Sequence, residues 1–157
     1  MSNLGKIYPF QQISPYQYHF IATKFYRRYE VYFTFPSIEG QYFKNFGFDY
    51  IDLSEAEAGE DSMIMPTILA IILDYLSQNP ETVLLYTCET KDDKEQARQR
   101  LFSRLFVRHD NGQFLKQDYT FEGTNMFASA IIPKSHPNLT DIQAVLAKEY
   151  VELSQLK

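Results

Sequence analysis

The chain has 157 residues, of which 45% are hydrophobic and 22% charged, so it has the length of one ordinary domain and enough apolar side chains to bury a core. That content excludes intrinsic disorder, and dividing the chain would leave two halves near the size at which single cores become marginal. The formal charge of −5 excludes the whole-surface basic field that supports non-specific nucleic-acid binding. Nucleic acid is therefore not expected as a partner.

The aromatic content is unusual, with 13 Phe and 12 Tyr against no Trp. Most of these rings fall within the first 50 residues, so the excess is local. Charge is local too: an acidic stretch runs from Asp52 to Asp61 and a basic one from Lys91 to Arg108. The single cysteine, Cys88, excludes an intramolecular disulfide framework and a CxxC pair. Residues Met1 to Phe10 lack the basic start and apolar core of a signal peptide. The longest apolar run, Met63 to Leu76, contains Pro66 and Asp74 and falls short of the ~20 residues that span a bilayer. The expectation is a soluble, cytoplasmic protein with no membrane contact.

Along the chain, Tyr16 to Ala22 and Phe25 to Phe35 are rich in β-branched and aromatic residues and are split by Thr23-Lys24, which predicts an antiparallel hairpin. In the second run Tyr29, Val31, Phe33 and Phe35 fall on one side and Arg28, Glu30 and Thr34 on the other, which predicts one core face and one wetter face. Phe46 to Leu53 predicts a third strand, and Ser54 to Asp61 an exposed acidic loop. Asp61 or Ser62 is expected to cap a helix whose first turn holds Pro66 and whose polar strip is only Thr67, Ala70, Asp74 and Gln78. Asn79-Pro80 ends it, and the apolar run Thr82 to Thr87 reads as a strand buried on both faces.

A basic helix follows from Asp93 to Arg108, with Asp92 and Glu95 in capping-box spacing and His109 to Gly112 as its stop. Phe114 to Phe121 and Met126 to Ile132 predict a second hairpin across Glu122 to Asn125. Asn138 is expected to cap a last helix, on which Leu139, Ile142, Leu146, Tyr150 and Leu153 form a stripe. The order is β-β-β-α-β-α-β-β-α. It predicts one α+β domain over residues 1–157, with a mostly antiparallel sheet of about six strands and three helices.

Chemistry is sparse in this pattern. His19, His109 and His136 have no metal-ligand spacing, the glycines form no phosphate loop, and Asp49 and Asp52 should point to opposite faces of their strand. No catalytic residue, metal or cofactor is assigned. On the basic helix Arg98 falls within the apolar face, where an unpaired charge costs several kcal/mol. It should pair with an acid such as Asp49, Asp52 or Glu89, or reach into a pocket. Arg100, Arg104 and Arg108 line a separate edge, either as a solvated face or as a grip on an acidic partner. Cys88 ends a strand beside this helix, where it is either a buried structural thiol or part of a pocket with Arg98. The early aromatics are either a sheet core or, at Tyr8, Phe10, Tyr16, Tyr26 and Tyr42, a surface for association.

The run Leu84-Leu85-Tyr86-Thr87-Cys88-Glu89-Thr90-Lys91-Asp92-Asp93, with Gln96, Arg98, Arg100, Phe102 and Phe106 after it, resembles a small family of uncharacterised bacterial proteins of similar length. Leu105 departs from the aromatic in that pattern. The resemblance implies a bacterial cytoplasmic origin and carries no activity. The expectation is a non-catalytic interaction, regulatory or accessory domain, with Arg98, Arg100, Arg104, Arg108, Tyr16 and Tyr26 binding a protein partner or a second copy. The alternative is a small-ligand sensor or enzyme with a pocket near Cys88 and Arg98.

Overall fold

A computed structural model describes residues 5–36, 41–55, 57–89, 93–109, 112–120 and 126–155; side chains at 87–99, 102, 120, 126–127 and 149–155 lie outside that description. In chain order the elements are β1 (Phe10–Ser14), β2 (Gln17–Ala22), β3 (Arg27–Thr34), β4 (Phe43–Asp52), α1 (Ile64–Gln78), β5 (Val83–Glu89), α2 (Asp93–His109), β6 (Phe114–Thr120), β7 (Met126–Pro133) and α3 (Leu139–Gln155). They build an α+β fold around one seven-stranded sheet in the order β1-β2-β3-β4-β5-β7-β6. Every neighbouring pair is antiparallel except β4 and β5, which run parallel because α1 carries the chain back between them.

β1 adds a strand to the expected set. Its residues are mostly exposed and show no apolar alternation, because an edge strand needs only the β2 ladder, which slips between Gln12 and Ser14. The β2–β3 turn takes Tyr26 to φ 50°. Phe35 lies beyond the end of β3 and is 66% exposed, so the expected core face ends at Phe33.

Alternation along β2, β3 and β4 sends Tyr18, Phe20, Tyr29, Val31, Phe33 and Phe46 to one face, where they meet Ile68, Leu69, Ile71, Ile72 and Tyr75 of α1 and Phe106 of α2. Phe33 stacks on Tyr75 with ring centroids 3.8 Å apart, and Phe20 on Tyr29 at 5.0 Å. Each such ring contributes about 1.5–3 kcal/mol through burial. The opposite face holds a second cluster, in which Phe43, Val83, Leu85, Ala128, Ala130 and Ile132 pack on Ile142 and Leu146 of α3. The β5 strand is therefore sandwiched, which is why its residues 83–85 are apolar without alternation.

The polar strip of α1 is a set of anchors for the aromatic strands. Asp74 Oδ2 accepts the Tyr18 hydroxyl at 2.7 Å and the Gln78 amide at 2.8 Å. Thr67, fully buried, accepts the Tyr8 N–H at 2.9 Å through Oγ1 and donates to the Met63 carbonyl at 2.6 Å. The helix N-cap is Met63, with no side-chain cap of its own. Asp61 acts two residues earlier than a cap would, taking the Met63 N–H on Oδ1 at 3.0 Å and the Tyr8 hydroxyl on Oδ2 at 2.6 Å. That corrects the expected cap at Asp61 or Ser62: the carboxylate serves a distant tyrosine as well as the helix start.

Candidate functional site

Arg100, Arg104 and Arg108 are exposed one turn apart on α2, giving a ridge roughly 12 Å long. Among the described residues no carboxylate pairs with them. The side chains of Arg98 on α2 and Cys88 on β5, and with them the expected buried pair or pocket, lie outside the described residues. Two of the acids weighed as partners for Arg98 are engaged elsewhere. Asp52 Oδ1 accepts from Arg27 Nε at 2.7 Å, and the Asp49 carboxylate stands near the Tyr32 phenol, which burial first and that charge second hold above its ordinary pKa.

Tyr16 and Tyr26 are 44% and 57% exposed, but they stand at opposite ends of β2, about 20 Å apart. Tyr16 packs edge-on against Phe35 at 5.6 Å. Tyr8, weighed as a surface ring, is buried: it stacks on Phe20 at 6.0 Å and its hydroxyl binds Asp61. Burial is the first cause, and the Asp61 carboxylate the second, of a Tyr8 phenol held above its ordinary pKa. The aromatic excess is therefore chiefly core. His136 is a core residue as well. Its Nδ1 accepts the Asn138 N–H, so its Nε2 carries the proton and donates to the Glu81 carbonyl at 3.0 Å.

Two features of the sheet stand out. The first is the junction of the parallel pair. The β4–β5 ladder consists of Phe43↔Val83, Lys44↔Leu84 and Asn45↔Leu85 and then stops, although β4 runs on to Asp52 and β5 to Glu89. Beyond Asn45, β4 keeps its partners on β3, and beyond Leu85, β5 keeps its partners on β7. The sheet thus parts along the carboxyl ends of its two parallel strands, the usual setting for ligands in sheets with helical crossovers. On the α1 side of this opening the rings of Phe46, Phe48 and Tyr86 lie 5.7–5.9 Å from one another along the chain Phe48–Phe46–Tyr86. The β4 strand then leads into the acidic loop, where Glu55, Glu57 and Glu60 are exposed. Cys88 belongs by its backbone to the part of β5 that is laddered to β7 and no longer to β4.

The second is the α3-side face of β2, β3 and β4. There Ile21, Arg28 and Ile51 form one cross-strand row, His19, Glu30 and Asp49 the next, and Gln17, Tyr32 and Gly47 a third. These side chains are half-buried or exposed. Gly47 leaves room for the Tyr32 ring: a Cβ there would lie 2.5 Å from Tyr32 Cε2.

Sequence reasoning located neither feature. Side-chain alternation continues through Phe46, Phe48 and Tyr50 whether or not a ladder persists beside them, so it carries no signal of where β4 leaves β5. Among the described residues no three His, Cys, Asp or Glu side chains converge on a metal position, and no helix is long and apolar enough to cross a membrane.

No curated protein and no solved structure matches the chain. The pattern described as "Family of unknown function (DUF6169)" matches residues 60–148, from just before α1 into α3, which includes β5 and the arginine-rich α2. The chain belongs to that family of unknown function.

Proposed function

We propose that the chain is a ligand-binding domain whose ligand, thin, extended and amide-bearing, lies in the opening between β4 and β5 and completes the sheet there. The observation that carries this reading is the end of the parallel ladder at Asn45 and Leu85 while both strands continue. A strand edge offers alternating N–H and C=O groups, and an extended chain carrying amides is the natural complement of such an edge. A polypeptide would have to place alternate side chains on the α1 side, where Phe46, Phe48 and Tyr86 already stand. An amide arm whose branches are confined to one end avoids most of that clash, and pantetheine, with two amides joined by unbranched methylene groups and its gem-dimethyl and hydroxyl groups at one end, is such a molecule. The acidic loop at the end of β4 opposes a phosphate-rich group near it, so affinity is assigned to the amide arm.

The aromatic lining of the opening suits an apolar stretch of such a ligand. The resemblance and the single cysteine support a bacterial, cytoplasmic setting. The test is backbone hydrogen exchange on the full chain with pantetheine, coenzyme A or a tripeptide at millimolar concentration. Protection of residues 47–52 and 87–89 by pantetheine, weaker with coenzyme A and absent with the tripeptide, is expected. Unchanged exchange in both segments with all three probes overturns the reading.

A further inference from the structure

The uncovered face of β2, β3 and β4 combines three properties that belong together at an interface. It is apolar at one corner, where Ile21, Ile51 and Leu53 are 46%, 50% and 48% exposed and Tyr26 is 57% exposed. Leu53 and Tyr26 are held side by side by the Leu53 N–H to Tyr26 carbonyl bond of 2.8 Å. Clustered exposure of this kind marks a contact surface more often than scattered apolar residues do. Within the corner, Arg28 sits between Ile21 and Ile51 in register, and its Nε is buried without a hydrogen-bond partner. Its nearest carboxylate oxygen, Glu30 Oε1, is 3.8 Å away, beyond hydrogen-bond length. One row further along the strands, Glu30 and Asp49 supply negative charge, and beyond them Tyr32 lies over Gly47.

We propose that this face binds the same face of a second copy of the chain, across a two-fold axis that runs along the rows between Arg28 and Glu30. That operation keeps β3 over β3 and exchanges the rows on either side of the axis. Arg28 of each copy then stands over Glu30 of the other, which supplies the missing acceptor. Tyr26 and Leu53 stand over the Tyr32 ring, which fills the space above Gly47, and Ile21 and Ile51 stand over His19 and Asp49. The surface is thus complementary to itself in charge along β3. Three strands and β1 at about 4.8 Å spacing, with six or so residues each, give a footprint of roughly 20 Å by 20 Å. That is below the standard interface, so a reversible dimer with a dissociation constant on the order of 10–100 μM is expected.

The test is sedimentation equilibrium on the full chain from micromolar to millimolar concentration, with circular dichroism to confirm that each variant is folded. Wild type should pass from monomer to dimer, and Ile51→Glu should stay monomeric. Arg28→Glu alone places carboxylates opposite Glu30, and Glu30→Arg alone places guanidinium groups opposite Arg28, so each should be monomeric. An equimolar mixture of Arg28→Glu and Glu30→Arg should dimerise, because both cross-axis pairs are restored. Wild type that remains monomeric at millimolar concentration overturns the proposal. So does Ile51→Glu that dimerises like wild type, or a folded pair of charge variants that fails to associate on mixing.

Discussion

Replacing Thr67 by Val keeps the side-chain shape and removes one oxygen, at the point where the N-terminal segment is fastened to α1. In the wild type that oxygen accepts the Tyr8 N–H at 2.9 Å and donates to the Met63 carbonyl at 2.6 Å, in a site where Thr67 has no exposure and Tyr8 only 5%. The Met63 carbonyl retains the Thr67 N–H at 3.1 Å, so the carbonyl is not stranded. The Tyr8 N–H is left as a buried donor without an acceptor, which costs about 1–3 kcal/mol. The new methyl, buried at ~0.8 kcal/mol per carbon, offsets part of this. A net loss of about 1–2 kcal/mol is expected. With a urea slope on the order of 2 kcal/mol per molar, the midpoint falls by roughly 0.5–1 M. Because the lost bond belongs to residues 5–9, their amides should also exchange faster in Thr67→Val than in wild type at the same distance from the global midpoint. A midpoint within 0.2 M of wild type, with unchanged exchange at Tyr8, would refute the role given to this hydroxyl.

The buried phenols set an alkaline limit. Tyr8, Tyr18, Tyr32, Tyr75 and Tyr119 are all held above their ordinary pKa, first by burial, with Asp61 adding to Tyr8 and Asp74 to Tyr18. The folded chain keeps these protons where the unfolded chain gives them up, so their contribution is complete below pH ~10 and is lost as pH rises above that. Lys44, lowered by burial, acts in the opposite sense, but one amine does not outweigh the phenols. Denaturant midpoints measured from pH 8 to 11.5 should fall steeply, and less steeply in Tyr18→Phe; parallel curves would contradict this. Gly47→Ala forces a Cβ into the Tyr32 ring and should cost about 1–3 kcal/mol. In a Tyr32→Ser background the same change should cost less than about 1 kcal/mol, as a double-mutant cycle of chemical denaturation would show.

The parts of the fold visible in the sequence are those in which one residue's surroundings come from its own element. The α1 helix is bounded by Pro66 in its first turn and by Asn79-Pro80 after its end, and the alternation of Tyr29, Val31 and Phe33 shows which face of β3 is buried. β1 escaped because Gln11, Gln12 and Ile13 are exposed and need no core face. Thr67 and Asp61 were placed on the right segment, yet their partner, Tyr8, lies more than fifty residues away. Periodicity measures the distance to a neighbour along one element and carries nothing about a neighbour that distant in the chain. The arginines of α2 illustrate the converse. Their spacing, one turn apart, put them on a common edge, and they stand exposed on it, but exposure alone names no occupant. The opening and the uncovered face are both products of where strands and helices end relative to one another.

The three pairs between β4 and β5 also bear on how the chain assembles. On one side of this seam, β1 to β4 are successive antiparallel neighbours, and contacts between segments adjacent in sequence form quickly. On the other side β5, β7 and β6 must wait for α2 and a return strand. The seam joins residues about forty positions apart and can close only after α1 has formed and docked. Closure of Phe43–Asn45 against Val83–Leu85 should therefore be the late event in refolding, with α1 as the clasp that turns two half-sheets into one.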